Sequence, residues 1–455
     1  MLQQVPSLEG LTVSIAGFRG IVGEAMTPEL AFHLAAVFAG FCPRGTVVVG
    51  RDSRPSGQAL GAAVAAGLLS RGQNVLDIGI APTPTVGFTV KKERAAGAVN
   101  LTASHNPSQW NALKLYGPDG SFLSPAMLER FLSLHELGAP PCLPSERFGH
   151  LREAPDAWKA HVERVLSQIK PEAIHPRHFR VVVDGCRGAG SLPLPFLLNF
   201  LGCEVIELDC VPDGRFTRPC EPLAENLTAL RRRVSETRAD LGMALDPDAD
   251  RLALVDASGT AIGEEYTLAL TTLAVFARGG RLAVANLSTS RLIDDVAARY
   301  GGRVIRTPIG EAHVVGAIRA HGAAIGGEGN GGVIWPAVHE GRDALAGAGL
   351  LLDYMAETGR TLAELVESLP RYHMVKHTAK VAPERVGELL SRARALHGSA
   401  QLNDEDGLKV IYPDRWVHVR ASMTEPLVRI IAEAPTEADT TALCAPLLAE
   451  ARRLS

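Results

Sequence analysis

The sequence predicts an α/β protein: three similar α/β domains followed by a smaller C-terminal α+β domain. Two patterns and one number lead there. Short β-branched runs recur, each giving way to a Gly-, Asp- or Asn-containing loop and then a helical pattern. Thr46-Val47-Val48-Val49 precedes Gly50-Arg51-Asp52, Arg180-Val181-Val182-Val183 precedes Asp184-Gly185, and Arg281-Leu282-Ala283-Val284 precedes Ala285-Asn286-Leu287-Ser288. Unbroken apolar strands alternating with amphipathic helices belong to sheets covered on both faces. The chain's 455 residues also exceed one ordinary core and point to roughly three or four domains.

Turn-forming clusters divide the chain. The first α/β domain, 1–150, ends in Ala139-Pro140-Pro141-Cys142-Leu143-Pro144 through Phe148-Gly149, a linker by composition. The second, 151–256, runs to Asp256-Ala257-Ser258-Gly259, and the third, 257–370, to Leu369-Pro370-Arg371. The remainder, 371–455, is smaller and strand-rich, with Trp416-Val417-His418-Val419-Arg420 and Leu427-Val428-Arg429-Ile430-Ile431. It reads as an α+β unit able to close over a cleft.

Composition narrows the function. With 46% hydrophobic and 21% charged residues, the chain is an ordinary globular protein. A formal charge of -4 argues against a nucleic-acid or acidic-membrane surface. The N-terminus shows no secretory signal and no run approaches ~18 apolar residues, so no membrane segment is expected. The seven cysteines are scattered without a C-x-x-C pair, which disfavours a zinc ribbon. Free thiols in a reducing cytoplasm are expected; Cys203 and Cys210 are the pair that an exported chain could join.

Four segments carry the chemistry. Thr102-Ala103-Ser104-His105-Asn106-Pro107 follows the apolar approach Ala98-Val99-Asn100-Leu101, so Ser104 sits on a loop just past a strand. Asn106-Pro107 keeps helix from starting there. A hydroxyl pinned beside His105 is a candidate nucleophile, although an ordinary Ser-His turn would look the same. No G-x-S-x-G elbow accompanies it, which argues against acyl transfer. In Leu241-Gly242-Met243-Ala244-Leu245-Asp246-Pro247-Asp248-Ala249-Asp250-Arg251, carboxylates at i, i+2 and i+4 follow an apolar run. Pro247 excludes a helix interior, and three anions together fit a hard divalent cation better than a solvated turn. An EF-hand would need Gly and Glu where Arg251 and Ala257 stand.

The third segment is Gly326-Gly327-Glu328-Gly329-Asn330-Gly331-Gly332. Its glycines let backbone approach a ligand, and Glu328 and Asn330 offer an acceptor and an amide to hydroxyl groups. Lacking a Walker Lys-Ser/Thr and a G-x-G-x-x-G frame, it is a poor nucleotide cradle. The fourth, Arg420-Ala421-Ser422-Met423-Thr424-Glu425-Pro426-Leu427-Val428-Arg429, sets two guanidiniums around hydroxyls and a turn. That set suits a phosphate, the alternative being an exposed Arg pair on a hairpin.

In this order the four segments closely resemble the α-D-phosphohexomutase family. Its members carry a T-A-S-H-N-P phosphoserine loop, a D-x-D-x-D-R magnesium loop, a G-E-x-[SN]-G sugar loop and an R-x-S-x-T-E-P phosphate loop. The likeness spans Gly17-Phe18-Arg19-Gly20 to Arg429. It implies four domains around a central cleft and reversible phosphate transfer between the 1- and 6-positions of a hexose phosphate. Carried over by position, Ser104 is the phosphorylated serine and ligates one Mg²⁺ with Asp246, Asp248 and Asp250. Arg19 and Arg251 lie near the transferring phosphate, His105 stands beside the serine, and Lys114 is a candidate general acid/base. Glu328 and Asn330 hold sugar hydroxyls, with Thr307 and Gly310 in the loop that orients the sugar. Arg420, Ser422, Thr424 and Arg429 grip the phosphate that is not reacting. Three aspartates and a phosphoserine carry roughly -4.5 to -5 against +2 from the ion, so Arg19, Arg251 and Lys114 are expected to offset the rest.

Some positions depart from the commoner pattern. The amino-terminal F-G-T-x-G-x-R-G reads Val13-Ser14-Ile15-Ala16-Gly17-Phe18-Arg19-Gly20, and Met423 replaces the usual Gly or Asn. Asn330 and Gly332 stand where many members have Ser and His, an ending similar to the archaeal-type branch assigned to glucosamine or mannose phosphates. Glucosamine phosphate is the expected substrate, mannose and glucose phosphates the alternatives, with a hexose 1,6-bisphosphate as intermediate and activator. Expected partners are these small molecules alone, with no nucleic acid and no membrane, the chain acting as a monomer or homodimer. Two other readings remain. One is a haloacid-dehalogenase-like phosphatase with Asp246 as nucleophile, although that class wants Thr or Val where Asp250 stands. The other is a silent sugar-phosphate binding protein on the same scaffold.

Overall fold

A computed structural model describes residues 5–398, 400–422 and 427–454. Its four sheets follow one another along the chain. The first has strands Thr12–Ser14 (β1), Gly17–Ile21 (β2), Thr46–Arg51 (β3), Asn74–Ile80 (β4), Gly97–Leu101 (β5), Trp110–Tyr116 (β6) and Leu151–Glu153 (β7), ordered β1-β2-β6-β5-β3-β4-β7. The second has Arg180–Asp184 (β8), Glu204–Leu208 (β9), Leu241–Leu245 (β10) and Leu252–Asp256 (β11), ordered β11-β10-β8-β9. In the third, Leu282–Asn286 (β12), Arg303–Thr307 (β13), Ile325–Glu328 (β14) and Gly332–Ile334 (β15) are ordered β13-β12-β14-β15.

One unit repeats in all three. Two successive strands pair in parallel, a third pairs in parallel on the other side of the first, and a fourth folds back antiparallel on the third. The first strand of each unit is buried on both faces. Val47 and Val49 pack under helices Pro28–Phe41 and Gly57–Leu69, and Val48 packs against helix Thr83–Glu93. Val181 and Val183 oppose Val182, and Ala283 and Ala285 oppose Val284, in the same way. A period of two with both faces apolar explains why these strands read as unbroken runs.

The second and third sheets share one core. Helix Ala344–Thr358, buried over most of its length, packs against Ala157–Leu166 and Pro193–Phe200 on one side and Glu264–Ala277 on the other. The fourth sheet is antiparallel throughout. Its strands His373–Lys380 (β16), Gln401–Asn403 (β17), Leu408–Ile411 (β18), Trp416–Ala421 (β19) and Leu427–Ala434 (β20) are ordered β16-β20-β19-β18-β17. Helices Val386–Leu396 and Glu437–Arg453 cover one face.

One expected boundary needs correction. The chain does not leave the first domain at 150, because β7 pairs in parallel with Val75–Asp77 and completes the first sheet. Leu151-Arg152-Glu153 is exposed at an edge, so no apolar signal marks it. Asp256–Gly259, the expected second break, is a tight turn that follows β11. The Asp256 carboxylate accepts the N–H groups of Ser258 and Thr260, and Ala261 bridges back to Val255. All seven cysteines are free, Cys203 and Cys210 included. Among the described residues no helix is long and apolar enough to cross a membrane.

Gly17, where β2 begins, has φ +108, and a Cβ there would fall 2.4 Å from the Leu113 carbonyl oxygen and 3.0 Å from Lys114 Cα. A side chain would push the β1–β2 ribbon off β6. Gly17→Ala is expected to destabilise the protein by ~2 kcal/mol, seen as a lowered Tm in a thermal melt; an unchanged Tm would show that this close approach is dispensable.

Candidate active site

Each repeating unit contributes one loop, and all three loops occupy the same place: the reversal between the third and fourth strands. In the first unit this loop joins β5 to β6 and holds Ser104. The Ser104 N–H donates to Thr102 Oγ1 at 3.0 Å, and Ser104 takes a left-handed conformation with φ 50. Behind it lies Arg54, fully buried, whose guanidinium donates to the Ser104 carbonyl at 2.8 Å and to the Asn106 carbonyl while paired with Asp52. A left-handed serine costs about 1–3 kcal/mol in backbone strain, so these bonds must hold the loop in shape.

In the second unit the loop between β10 and β11 carries Asp246, Asp248 and Asp250, all buried, with one carboxylate oxygen of each within 4.8 Å of the others. The turn is closed by Ala249 at φ 53 and by Asp246 Oδ1, which accepts the N–H groups of Asp250 and Arg251 at 3.1 and 3.2 Å. Asp246 Oδ2 accepts from Ser104 Oγ at 3.1 Å. Asp248 Oδ2 accepts from Lys114 Nζ at 2.8 Å and Thr83 Oγ1 at 2.7 Å, and Asp250 Oδ2 accepts from Arg342 at 2.6 Å. That leaves Asp248 Oδ1 and Asp250 Oδ1 buried without a hydrogen bond; the second has only the Arg251 guanidinium at 3.8 Å.

Two orphaned buried carboxylate oxygens beside a third on a serine hydroxyl form an all-oxygen donor set, which fits a hard divalent cation such as Mg²⁺. Electrostatics point the same way. Burial, then the charges of Asp250 and Asp248, push Asp246 well above the usual carboxylate range. Burial would also raise Asp248, but Lys114 and Thr83 hold it below.

In the third unit the loop after β14 holds Glu328 and Asn330. Glu328 Oε1 accepts from Asn286 Nδ2 at 2.8 Å and the Gly310 N–H at 3.2 Å. Its Oε2 accepts from Arg342 at 2.9 Å. Burial would raise Glu328, but the Arg342 charge and Asn286 keep it below its ordinary value. The glycines here serve an unexpected purpose. A Cβ at Gly329 would fall 1.9 Å from Glu265 Oε2, and one at Gly332 2.4 Å from Arg342 Cδ. At these two positions the close approach is to the protein's own side chains rather than to a ligand.

Arg342 ties the loops together. Besides Asp250 and Glu328 it bonds Glu311 at 2.9 Å, and it lies in no motif that sequence reading singled out. Glu311 is pushed up to about 7, chiefly by burial. His105 Nδ1 lies 3.4 Å from Ser104 Oγ and 3.2 Å from an Arg251 nitrogen. Burial and the Arg251 charge drive the imidazole down to about 2, so it is neutral, with its acceptor nitrogen already facing a cation. Arg251 also pairs with Glu221 at 2.9 Å. Arg19 donates to Asn106 Oδ1 at 2.7 Å.

A cleft of 720 Å³ runs from Ser104, Arg19 and Lys114 past Glu328 and Asn330 to Arg420 and Arg429. The two arginines face each other across β19 and β20. Arg420 Nε lies 3.3 Å from Asp406 Oδ1, and Asp406 Oδ2 accepts the Ile309 N–H at 3.0 Å, joining the fourth domain to the third. Ser422 closes the hairpin through its N–H to the Leu427 carbonyl at 2.8 Å. Thr424 lies outside the described residues.

Family models for phosphoglucomutase/phosphomannomutase match the chain in sequence order: α/β/α domain I at 12–134, II at 159–259, III at 264–372 and the C-terminal domain at 376–450. The chain belongs to the α-D-phosphohexomutase family. It is 39% identical over 432 residues to a phosphoglucomutase/phosphomannomutase of Thermococcus kodakarensis, covering 92% of this chain and 94% of that one. A probable phosphoglucosamine mutase of Methanopyrus kandleri is also 39% identical, over 93% of each chain. The crystal structure of a phosphoglucomutase/phosphomannomutase family protein from Burkholderia thailandensis superposes with a TM-score of 0.84 at 26% identity, covering 96% of each chain. The chain is thus a phosphohexomutase by family, an intramolecular phosphotransferase of the isomerase class.

For this phosphohexomutase, folding brings Ser104, His105, Lys114, Arg19, Arg251 and the three aspartates to one end of the cleft, with Glu328, Asn330 and Gly310 in the middle and Arg420 and Arg429 at the other. Thr307 does not line the cleft, and its hydroxyl donates to the Pro308 carbonyl at 3.0 Å. Sequence reading missed Arg342, Arg54, Thr83 and Glu311. Arg54 had a signal, the charged Arg51-Asp52-Ser53-Arg54 loop after a strand; the others stand at unremarkable positions.

Replacing Arg342 by Met would leave Asp250, Glu311 and Glu328 buried without their shared cation. Breaking a buried pair this way costs about 3–5 kcal/mol, so the variant should lose Tm and at least ~10²-fold in kcat/KM. Arg342→Lys should recover part of both. A Met variant with full activity would remove Arg342 from the site's design.

Proposed function

We propose that this phosphohexomutase moves a phosphoryl group between the 1- and 6-positions of a hexose phosphate through phosphoserine 104 and a 1,6-bisphosphate. The observation that carries this is one cleft with two chemically different phosphate ends: a serine beside a metal-competent acidic triad, and an arginine pair on another domain. A sugar bisphosphate that reverses its orientation needs both ends and no nucleotide site.

The roles follow from the contacts. Asp246, Asp248, Asp250 and Ser104 Oγ would hold Mg²⁺, which when bound would neutralise charge on the transferring phosphoryl group. In the transfer the sugar hydroxyl oxygen bonds to phosphorus, the bond from phosphorus to Ser104 Oγ breaks, and one proton passes from the hydroxyl to the serine side. Lys114, within 2.8 Å of Asp248, is our candidate for relaying that proton. Arg19 and Arg251 face the same charge. Glu328, held by three donors, and Asn330 would orient sugar hydroxyls, while Arg420, Arg429 and Ser422 would grip the distal phosphate, with Thr424 completing the set. The fourth domain would exclude water from the phosphoserine.

For the sugar we favour glucosamine phosphate over mannose and glucose phosphates. The Asn330-Gly331-Gly332 ending of the sugar loop and the likeness to a probable phosphoglucosamine mutase of Methanopyrus kandleri support this reading. A cytoplasmic location suits the free thiols.

Three measurements test these proposals. Protein labelled with hexose bisphosphate phosphorus should yield its label on the peptide containing Ser104, and Ser104→Ala should lose at least ~10²–10³-fold in turnover; label on Asp246 would transfer the nucleophile to that residue. Separately, kcat/KM compared across the three 6-phosphates should be highest for glucosamine, and a higher value for mannose or glucose sinks the substrate assignment alone.

A further inference from the structure

Asn286 and Ser288 line the catalytic cleft, but Leu287 between them lines a second cavity of 740 Å³ on the other side of the same segment. Its walls include Arg291, Arg306 and the carboxylate Asp294 of the third domain and Asn403, Lys409 and Trp416 of the fourth. Lys409 is 4% exposed, donates to the Leu287 carbonyl at 2.5 Å and sits 4.0 Å from the centre of the Trp416 ring. Among the described residues no carboxylate forms an ion pair with it. Arg306 is spent on the carbonyls of Asn286, Thr289 and Ser290 and on Asp294. The Arg291 guanidinium lies over the Tyr372 ring, 5.2 Å from its centre, and its Nε is buried with no hydrogen-bond partner.

A buried ammonium with one neutral acceptor is costly. Burial, with the Arg306 charge adding to it, drives the Lys409 amine well below its ordinary value. We propose that this cavity is a second anion site, which takes the phosphoryl group of a small phosphorylated metabolite against Lys409 and Arg291. The volume is that of an organic ligand rather than a bare ion, since ligand pockets run from about 300 to 1,000 Å³. The site is separate from the cleft's phosphate arm, because Arg420 and Arg429 line only the cleft. Its ligand would touch both domains at the seam.

Tungstate, a heavy analogue of phosphate, tests the assignment on the full chain. Crystals soaked in it should show anomalous density beside Lys409 as well as at the Arg420–Arg429 arm, and Lys409→Met should lose only the first. Asn403→Asp guards against a misfolded Met variant. Asn403 is the register partner of Lys409, and its Oδ1 caps the Glu405 N–H at 3.0 Å, an acceptor that aspartate keeps while giving the lysine an internal counter-charge. Calorimetry in solution should then find two tungstate sites in the wild type and one in Asn403→Asp. No density beside Lys409, density that survives both variants, or a single site in every protein (binding at crystal concentration only) overturns the proposal.

Discussion

Three carboxylates buried within one short loop are the constraint around which the molecule is arranged. Asp246, Asp248 and Asp250 are shut off from bulk solvent, and like charges at this range in a poorly polarisable interior oppose one another strongly. The loop cannot relieve this itself. It is stabilised by Lys114 from the first domain and Arg342 from the third, with Arg251 nearby. What remains after these pairs is two bare oxygens and a serine hydroxyl. The residual deficit of positive charge is therefore local, oxygen-lined and open to a cation.

That demand explains the repetition of the fold. Three units place their working loop at the same reversal, between the last parallel strand and the antiparallel strand that follows it. Setting three such units side by side brings a serine, an acidic triad and a buried glutamate together without any long insertion. The shared core between the second and third sheets fixes the metal loop relative to the sugar loop. Arg342 then couples the two directly, with one guanidinium touching Asp250 and Glu328.

The fourth domain meets the problem from the other end. Its own core is separate from those of the other three, and its contacts to the third domain include polar ones: Asp406 with Ile309, His418 with Ser288 at 2.8 Å, and Glu433 with the Arg291 N–H at 2.9 Å. Polar seams of this kind part more readily than apolar cores. An arginine pair mounted on such a domain can move relative to the acidic triad.

Much of the fold and the reacting end of the cleft was legible in the chain. Unbroken runs such as Val47-Val48-Val49 announce strands buried on both faces, because they are short, β-branched and followed by a Gly-containing loop. Ser104 and the three aspartates are legible because their chemistry needs several unusual residues within a few positions. Other features were illegible for equally physical reasons. β7 is exposed and short, so nothing apolar marks it, and local sequence does not record that Thr307 is buried behind the cleft lining. The sequence alone determined which groups could carry phosphate and metal, since that depends on residue type and local spacing. Tertiary structure decided which cations balance them. A guanidinium such as Arg342 acts through contacts with residues up to 92 positions away, and no local pattern records a partner that distant.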